Sequence, residues 1–500
     1  MGETLLQTAI KDFHNAMGLN RLSRVLSNMD ALSRQRPLKI ATVCSGSDIA
    51  MLAIGDMFRH YRDRHGIHVP AVDHVFSCES VKFKQQWVCR HFCPKLVFDN
   101  LLTLATGTSF DIVSNAQCRV PAADGILAGF ECDSISGLNS NAGANRDVVA
   151  TGDGKTGSTA RATLQWIKDH RPFWVVLENV RSLNGKGSDG VSNLDTVKLF
   201  FKKHGYVCQA LLLDAHPFGC PARRERYYIV AVRVSQEALS GDAVSPGWFA
   251  DLASTVASMH IPTRELSEFL LPDGHPLLMQ TTVSSKTVKG KTRKETKKEP
   301  DNLTVASWEQ DHMEAFAECQ LDWPPRTSDL HAYLPRRKQE LVALYSHLCP
   351  PGQRRIDDIN MSVFFGSPGT DLLPCIVSSC TMWLTDKGRG ICRELHGAEL
   401  MSIQGWAVSE QLLENPVHEE LKDMAGNAFC AFTLVPVLIA LFSLLDWTSL
   451  DRDFDGHDNP LSAPPVESEC EEEGLETESS ADPDVEVLYD SEHDDLDGLI

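Results

Sequence analysis

Three features of this chain carry side chains suited to chemistry: Cys132 within Gly129-Phe130-Glu131-Cys132-Asp133-Ser134, Glu178 at the end of an apolar run, and the arginines Arg224 and Arg226. A thiolate is a nucleophile, although a lone cysteine also reads as a small half-buried hydrophobe. Glu178 ends the string FWVVL, where partial desolvation is expected to raise its pKa and favour a proton-donating acid. Arg224 and Arg226 lie two residues apart, so they point to one face if a strand begins there, with Arg223 turned the other way. A second group suggests an adenosine site. The turn Cys44-Ser45-Gly46-Ser47-Asp48 is built of small residues and lets backbone approach a ligand. Glu79-Ser80 closes the next apolar run, where an acid can accept hydrogen bonds from both ribose hydroxyls, and Asp99-Asn100 closes the third, suited to an adenine amino group.

These residues share one property, which is that each follows a short apolar run. The runs are KIATVC, HVFSC, KLVF, DGILAGF, FWVVLENV, YVCQALLLD and RYYIVAV, separated mostly by amphipathic segments between Lys39 and Val232. Several are hydrophobic on consecutive residues, as strands covered on both faces are. The alternation predicts an α/β fold, a doubly wound and mostly parallel sheet, in which ligands bind beyond the carboxyl ends of the strands. The expected divisions are an N-terminal helical arm over 1–37, a core over 38–233, an insertion over 234–360, a return to the core over 361–447 and a tail over 448–500.

Composition bounds the rest. The 500 residues are 42% hydrophobic and 23% charged, which excludes a fibre or a wholly disordered chain. The formal charge of −21 sits mostly at the end, where residues 451–500 hold 19 acids against one arginine, so the body is nearly neutral. The tail is expected to be disordered, because it has too few large apolar residues to offset its ordering entropy. The insertion holds the opposite charge in one basic run, Lys286, Lys289, Lys291, Arg293, Lys294, Lys297 and Lys298, suited to neutralising phosphates or to a solvated loop. Fifteen cysteines without Cys-x-x-Cys spacing read as reduced thiols. The N-terminus MGETLLQTAI has neither a secretion pattern nor a myristoylation motif, so a reducing compartment is expected. The uncharged stretch 428–445 reaches the lower length of a membrane span but contains Pro436 and lacks a flanking basic cluster; a buried internal helix is expected, without a membrane.

The motifs in order resemble the C5 cytosine methyltransferase family over Leu38–Val232 and Asp371–Trp447. GFECDSIS resembles its Pro-Cys-Gln nucleophile loop, LENV is identical to its Glu-Asn-Val motif, and PARRERYYIV resembles its Gln-x-Arg-x-Arg motif. RELHGAELMSIQGW, Arg393–Trp406, resembles the motif that supports target recognition, and AGNAF, Ala425–Phe429, the last cofactor-side motif. The resemblance implies the fold of S-adenosylmethionine-dependent methyltransferases and a C5 transfer to cytosine in DNA. Cys132 would attack C6 of the base, Glu178 would serve N3, Arg226 would hold charge at O2, and Asn179 and Arg224 would orient the loop and the base. S-adenosylmethionine is the implied methyl donor, bound by Cys44, Ser45, Gly46, Ser47, Glu79, Ser80, Asp99, Asn100 and Asn427, and the chemistry needs no metal. The base would be flipped out of the duplex at a cost of roughly a few kcal/mol, which the insertion must offset.

The chain departs from the family at several positions. Glu131 and Asp133 replace the Pro and Gln around the nucleophile, and two carboxylates beside a thiol are expected to oppose its ionisation. Ala222 stands before the arginines in place of Gln, and Asp48 and Ile49 stand where the first motif has glycines. Two further readings therefore stay open, the same fold acting on RNA and a catalytically silent adaptor that binds nucleic acid and S-adenosylmethionine. A dehydrogenase is disfavoured because hydride transfer has no use for the thiol, acid and twin arginines. In the tail, Val485-Glu486-Val487-Leu488 resembles the short strand that small ubiquitin-like modifiers accept along a sheet edge. A nuclear location is implied by the family and the basic run, or a cytoplasmic one in an organism without a nucleus.

Overall fold

All seven apolar runs enter one nine-stranded sheet in the computed structural model. The structure describes residues 3–33, 36–44, 46–137, 143, 145–187, 189–234, 246–278, 307–325, 331–365, 369–370, 372–408, 417–445 and 447. The strands are β1 (Leu38–Val43), β2 (Val72–Cys78), β3 (Val97–Phe98), β4 (Thr108–Asp111), β5 (Ala116–Arg119), β6 (Gly125–Ala128), β7 (Trp174–Val180), β8 (Tyr206–Leu213) and β9 (Arg226–Arg233). Their order is β5-β4-β3-β2-β1-β6-β7-β9-β8. Helices lie on both faces, and the order turns back between β1 and β6, the position at which an open α/β sheet opens a crevice for ligands.

The doubly wound centre of the sheet is parallel, as expected, and antiparallel strands extend it at both edges, so the whole sheet is mixed. Pairing is parallel from β3 through β2, β1 and β6 to β7, whereas β7–β9, β9–β8, β3–β4 and β4–β5 are antiparallel. The connection from β8 to β9, residues 214–225, contains no helix, so the chain folds back instead of crossing over. The short β4–β5 hairpin was not recognised in the sequence, because its residues, TSFD and AQCR, form no apolar run.

Close packing of β6 against β7 depends on Gly125. A Cβ at this position would lie 1.9 Å from the ring of Trp174, which is fully buried. Gly125→Ala is expected to destabilise the protein by roughly 1–3 kcal/mol, read as a lower urea midpoint with an unchanged slope, because the ring has no free space to move into.

The helix Ala431–Leu444 is buried at every residue but the last, as an apolar internal helix requires. It contacts the helices Leu19–Ser33, Ile49–His65 and Pro246–Ala257. The N-terminal arm is thus part of the core. Leu6, Ile10 and Phe13 on the helix Leu5–Met17 are buried in the same cluster, and a capping box between Thr4 and Gln7 fixes that helix's start.

The expected insertion divides in two. Leu252, Val256, Met259, Leu266 and Phe269 belong to the main core. A separate small core of Phe316, Leu341, Leu344, Ile359 and Trp383 joins the helices Ser307–Glu318 and Arg336–Leu348 to a second sheet, β10 (Arg354–Asp358), β11 (Met382–Asp386) and β12 (Ile391–Glu394). The boundary expected at 360/361 therefore falls inside this antiparallel sheet, since β11 and β12 come after it. Ile356, Leu373, Ile376, Met382 and Leu384 already belong to the main core, so this sheet packs against both cores, and the buried residues from Leu395 onward belong to the main one. The acidic tail, including Val485–Leu488, and the basic residues Lys286, Lys289, Lys291, Arg293, Lys294, Lys297 and Lys298 lie outside the described residues.

Candidate active site

The residues after β6, those ending β7 and those opening β9 converge on one rim. Glu178 is the third residue from the end of β7, and β9 runs antiparallel beside it, with Val180 paired to Arg226. Arg226 Nε lies 3.3 Å and Arg224 Nη2 3.7 Å from the same oxygen, Glu178 Oε1. That oxygen is buried and has no aligned hydrogen-bond partner among the described residues. The two arginines meet at Glu178 although β9 begins only at Arg226, so strand alternation does not set the pair; Arg223 is exposed. The sequence reading weighed only the burial of Glu178; the structure adds two guanidinium groups around it.

Asn179 is buried, and its Nδ2 donates to the carbonyl of Phe130 at 2.9 Å, which ties the β7 end to the loop carrying Cys132. The Cys132 thiol is pushed up to about 11, first by burial and then by Glu178 and Asp133, with Arg226 and Arg224 acting in the opposite direction. Asp133 thus has the expected effect. Glu131 is itself raised by burial and by Asp133, and it interacts with Lys155, Lys84 and Glu79, facing the turn after β1. It contributes to raising Cys44, after burial and Glu79. Two adjacent acids therefore serve different sides of the loop.

This gives a direct prediction. Below its pKa of about 11 the thiolate fraction of Cys132 falls about tenfold per pH unit, so iodoacetamide labelling of the Cys132 peptide should speed up about tenfold per unit between pH 7 and 9. Asp133→Asn should increase the rate at pH 8, whereas Glu131→Gln should leave it within about twofold; peptide mass spectrometry reads both.

Arg224 is almost completely buried and reaches three carbonyls: Nη1 donates to Ile376 at 3.1 Å and Gly426 at 3.3 Å, and Nη2 to Ala428 at 2.5 Å. Its backbone N–H donates to Asp214 at 2.7 Å. Arg226 donates to the Cys375 sulfur at 3.5 Å. Burial acts to lower the pKa of Arg226, but Cys375 and Glu178 together raise it, so the cation is firmly held. Cys375, Asp214 and the three carbonyls were missed by sequence reasoning. Cys375 lies in LLPCIV with no spacing to mark it, and carbonyls carry no side-chain signal at all.

The turn after β1 lies beside this rim. Cys44, Gly46 and Asp48 all adopt left-handed backbone, with φ of 49°, 56° and 54°. Glycine meets that demand without strain at position 46, and the backbone there lies against Asn427, whose oxygen would be 3.5 Å from a Cβ. Asp48 takes the same conformation without being glycine. Its buried carboxyl is raised to about 8 by desolvation, so it stays protonated at neutral pH, and Thr42 Oγ1 donates to it at 3.2 Å.

Glu79 is nearly buried; Oε2 accepts from the Gly46 N–H and Oε1 from the Val81 N–H, each at 3.0 Å. Each oxygen keeps a lone pair, so the donor–acceptor chemistry fits a ligand that offers hydroxyl groups. Gly46, Glu79 and Asn427 come together, with Asn427 exposed and its Nδ2 on Asp423. Ser80 and Asn100 are exposed and Asp99 partly so.

One expected contact is corrected. Ser47 is fully buried and turned inward, where Trp406 Nε1 reaches its hydroxyl at 3.4 Å and Trp87 Nε1 its carbonyl at 3.1 Å. Asn100 caps the helix Leu101–Leu104, its Oδ1 accepting from the Leu102 N–H at 2.9 Å while its side chain stays exposed. Ser45 lies outside the described residues.

A doubly wound sheet with a tight turn on one side of its rim, and a thiol, a carboxylate and paired arginines on the other, is an α/β fold of the methyltransferase type. The model of the C-5 cytosine-specific DNA methylase family matches residues 64–342, more than half of the chain, and the chain belongs to that family. It is 28% identical over 433 residues, 81% of its length, to the DNA (cytosine-5-)-methyltransferase DMT5 of Cryptococcus neoformans var. grubii, and 22% identical over 467 residues, 78% of its length, to that of Verticillium dahliae. It covers only 17% and 19% of those two proteins. A type II methyltransferase of Dactylococcopsis salina, M.DsaV, is 28% identical over 138 residues, 28% of this chain and 36% of that one.

Proposed function

We propose that this chain transfers a methyl group from S-adenosylmethionine to C5 of cytosine in DNA through a covalent adduct of Cys132. The observation that carries the reading is Glu178 Oε1, buried without an aligned partner between Arg226 and Arg224, beside a thiol whose pKa responds to all three groups. The family membership supports the reaction class.

Cys132 is a thiol at rest and must lose its proton before attack, so it becomes reactive when the base enters and its new charge is shared. Sulfur then bonds to C6, and the C5–C6 π pair moves to C5. Glu178 serves N3, and the Arg226 guanidinium holds the negative charge that develops towards O2. Asn179 keeps the loop in place through Phe130. Glu79, Gly46 and Asn427 would hold S-adenosylmethionine, whose sulfonium methyl would be taken by the C5 pair, the donor leaving as a neutral thioether. Loss of the C5 proton to a base restores the C5–C6 double bond and expels the Cys132 sulfur.

The test is incubation with labelled S-adenosylmethionine and either duplex DNA or RNA, including duplexes that contain 5-fluorocytosine. Label in DNA together with a denaturation-resistant complex is expected. Label confined to RNA would reassign the substrate, and cofactor binding without transfer or trapping would leave only an adaptor.

A further inference from the structure

We propose that His14, His60 and His65 form a divalent transition-metal site of the zinc type, which fastens the N-terminal helix to the core. His14 is on the helix Leu5–Met17; His60 and His65 are in the last turns of the helix Ile49–His65. The ring centroids are 4.7, 5.4 and 5.5 Å apart, a nearly equilateral triangle. One ligand nitrogen from each ring lies within 4.8 Å of the others.

Three nitrogens each about 2.0–2.1 Å from a tetrahedral zinc ion lie about 3.4 Å from one another. His14 Nδ1 and His60 Nε2, at 3.0 Å, are already close to that spacing, and His65 must close by about an ångström or so. His14 Nε2 is 3.2 Å from the Tyr61 hydroxyl, which fixes the ring by its other nitrogen, as outer partners of metal-bound histidines do. His14 and His60 are buried and His65 half-buried beside the core cluster that holds Ile10, Phe13, Met57 and Phe58, with Glu3, Lys11 and Arg64 acting on His60.

His65 is only partly buried and forms the open edge of the cluster. The helix Ile49–His65 begins just after the turn Cys44–Asp48, which places His60 and His65 roughly 17 and 24 Å along its axis from that turn. The expected role is structural.

The test uses the full chain, freed of metal by chelation and titrated with zinc or cobalt alone. One equivalent should bind, the thermal midpoint should rise by several degrees, and cobalt should show visible bands of a nitrogen-bound tetrahedral ion without strong sulfur charge transfer. His65→Gln, at the open edge, should weaken binding at least tenfold while keeping the unliganded midpoint; His60→Asn should do the same if it folds. Binding below one equivalent, binding unchanged in His65→Gln, or a sulfur-to-cobalt band that thiol alkylation removes would overturn the proposal. The cobalt spectrum of the unmodified chain decides the matter even if neither variant folds.

Discussion

Cys132→Ser is expected to lower methyl transfer at least about 10³-fold and to abolish the covalent complex with 5-fluorocytosine DNA. A hydroxyl is nearly the size of a thiol but far harder to ionise, so the C6 bond is not made. Cys132 is only partly exposed and the loop is held by Asn179 at Phe130, not by the sulfur, so folding should be unaffected. The measurement is single-turnover transfer of label, paired with a gel assay for the trapped complex and with DNA affinity. Unchanged affinity with lost transfer and trapping assigns the chemistry to the sulfur. Persistent trapping in Cys132→Ser would move the nucleophile elsewhere, with Cys375 the next thiol to test because it lies at Arg226.

Arg224→Met should have the largest effect on stability, a loss of about 3–5 kcal/mol in urea unfolding. Its guanidinium is shared among the carbonyls of Ile376, Gly426 and Ala428 and the carboxylate of Glu178. Methionine fills the volume but leaves those acceptors buried without a donor. Arg224→Lys keeps the charge yet cannot reach three carbonyls at once, so it should lose less stability while remaining clearly weaker than the parent. By contrast Arg226→Lys, which has no such carbonyl set, should mainly reduce the transfer rate. Equal losses of stability for the two lysine variants would contradict this division of labour.

That division shows where reading residues in order stops. Arg224 and Arg226 are visible in the sequence as a pair two residues apart, and the structure places both on Glu178 Oε1. The role of Arg224 as a clamp on the C-terminal return was not visible, because its partners lie 152, 202 and 204 positions away and are main-chain oxygens. Ser47 and Asn100 fit an adenosine site by type and position, but one side chain turned into the core, while the other caps a helix and stays exposed. Glu131 and Asp133 look equivalent on either side of Cys132, yet a turn in the loop sends one towards Glu79 and leaves the other near the sulfur.

The runs of apolar residues by themselves determined seven strands of the main sheet, and with them the rim that carries Cys132, Glu178 and Asn179, because burial on both strand faces is a property of consecutive residues. Family membership was likewise legible in the order of motifs. Tertiary structure alone decided the antiparallel edges of the sheet, the split of the inserted region into a core part and a small module, and the meeting of His14 with His60 and His65. The physical reason is that a strand's direction and a side chain's distant partners depend on how connections route the chain and which helices cover the sheet. Contacts of that kind are set by the packing of the whole molecule, and no local pattern of residues encodes them.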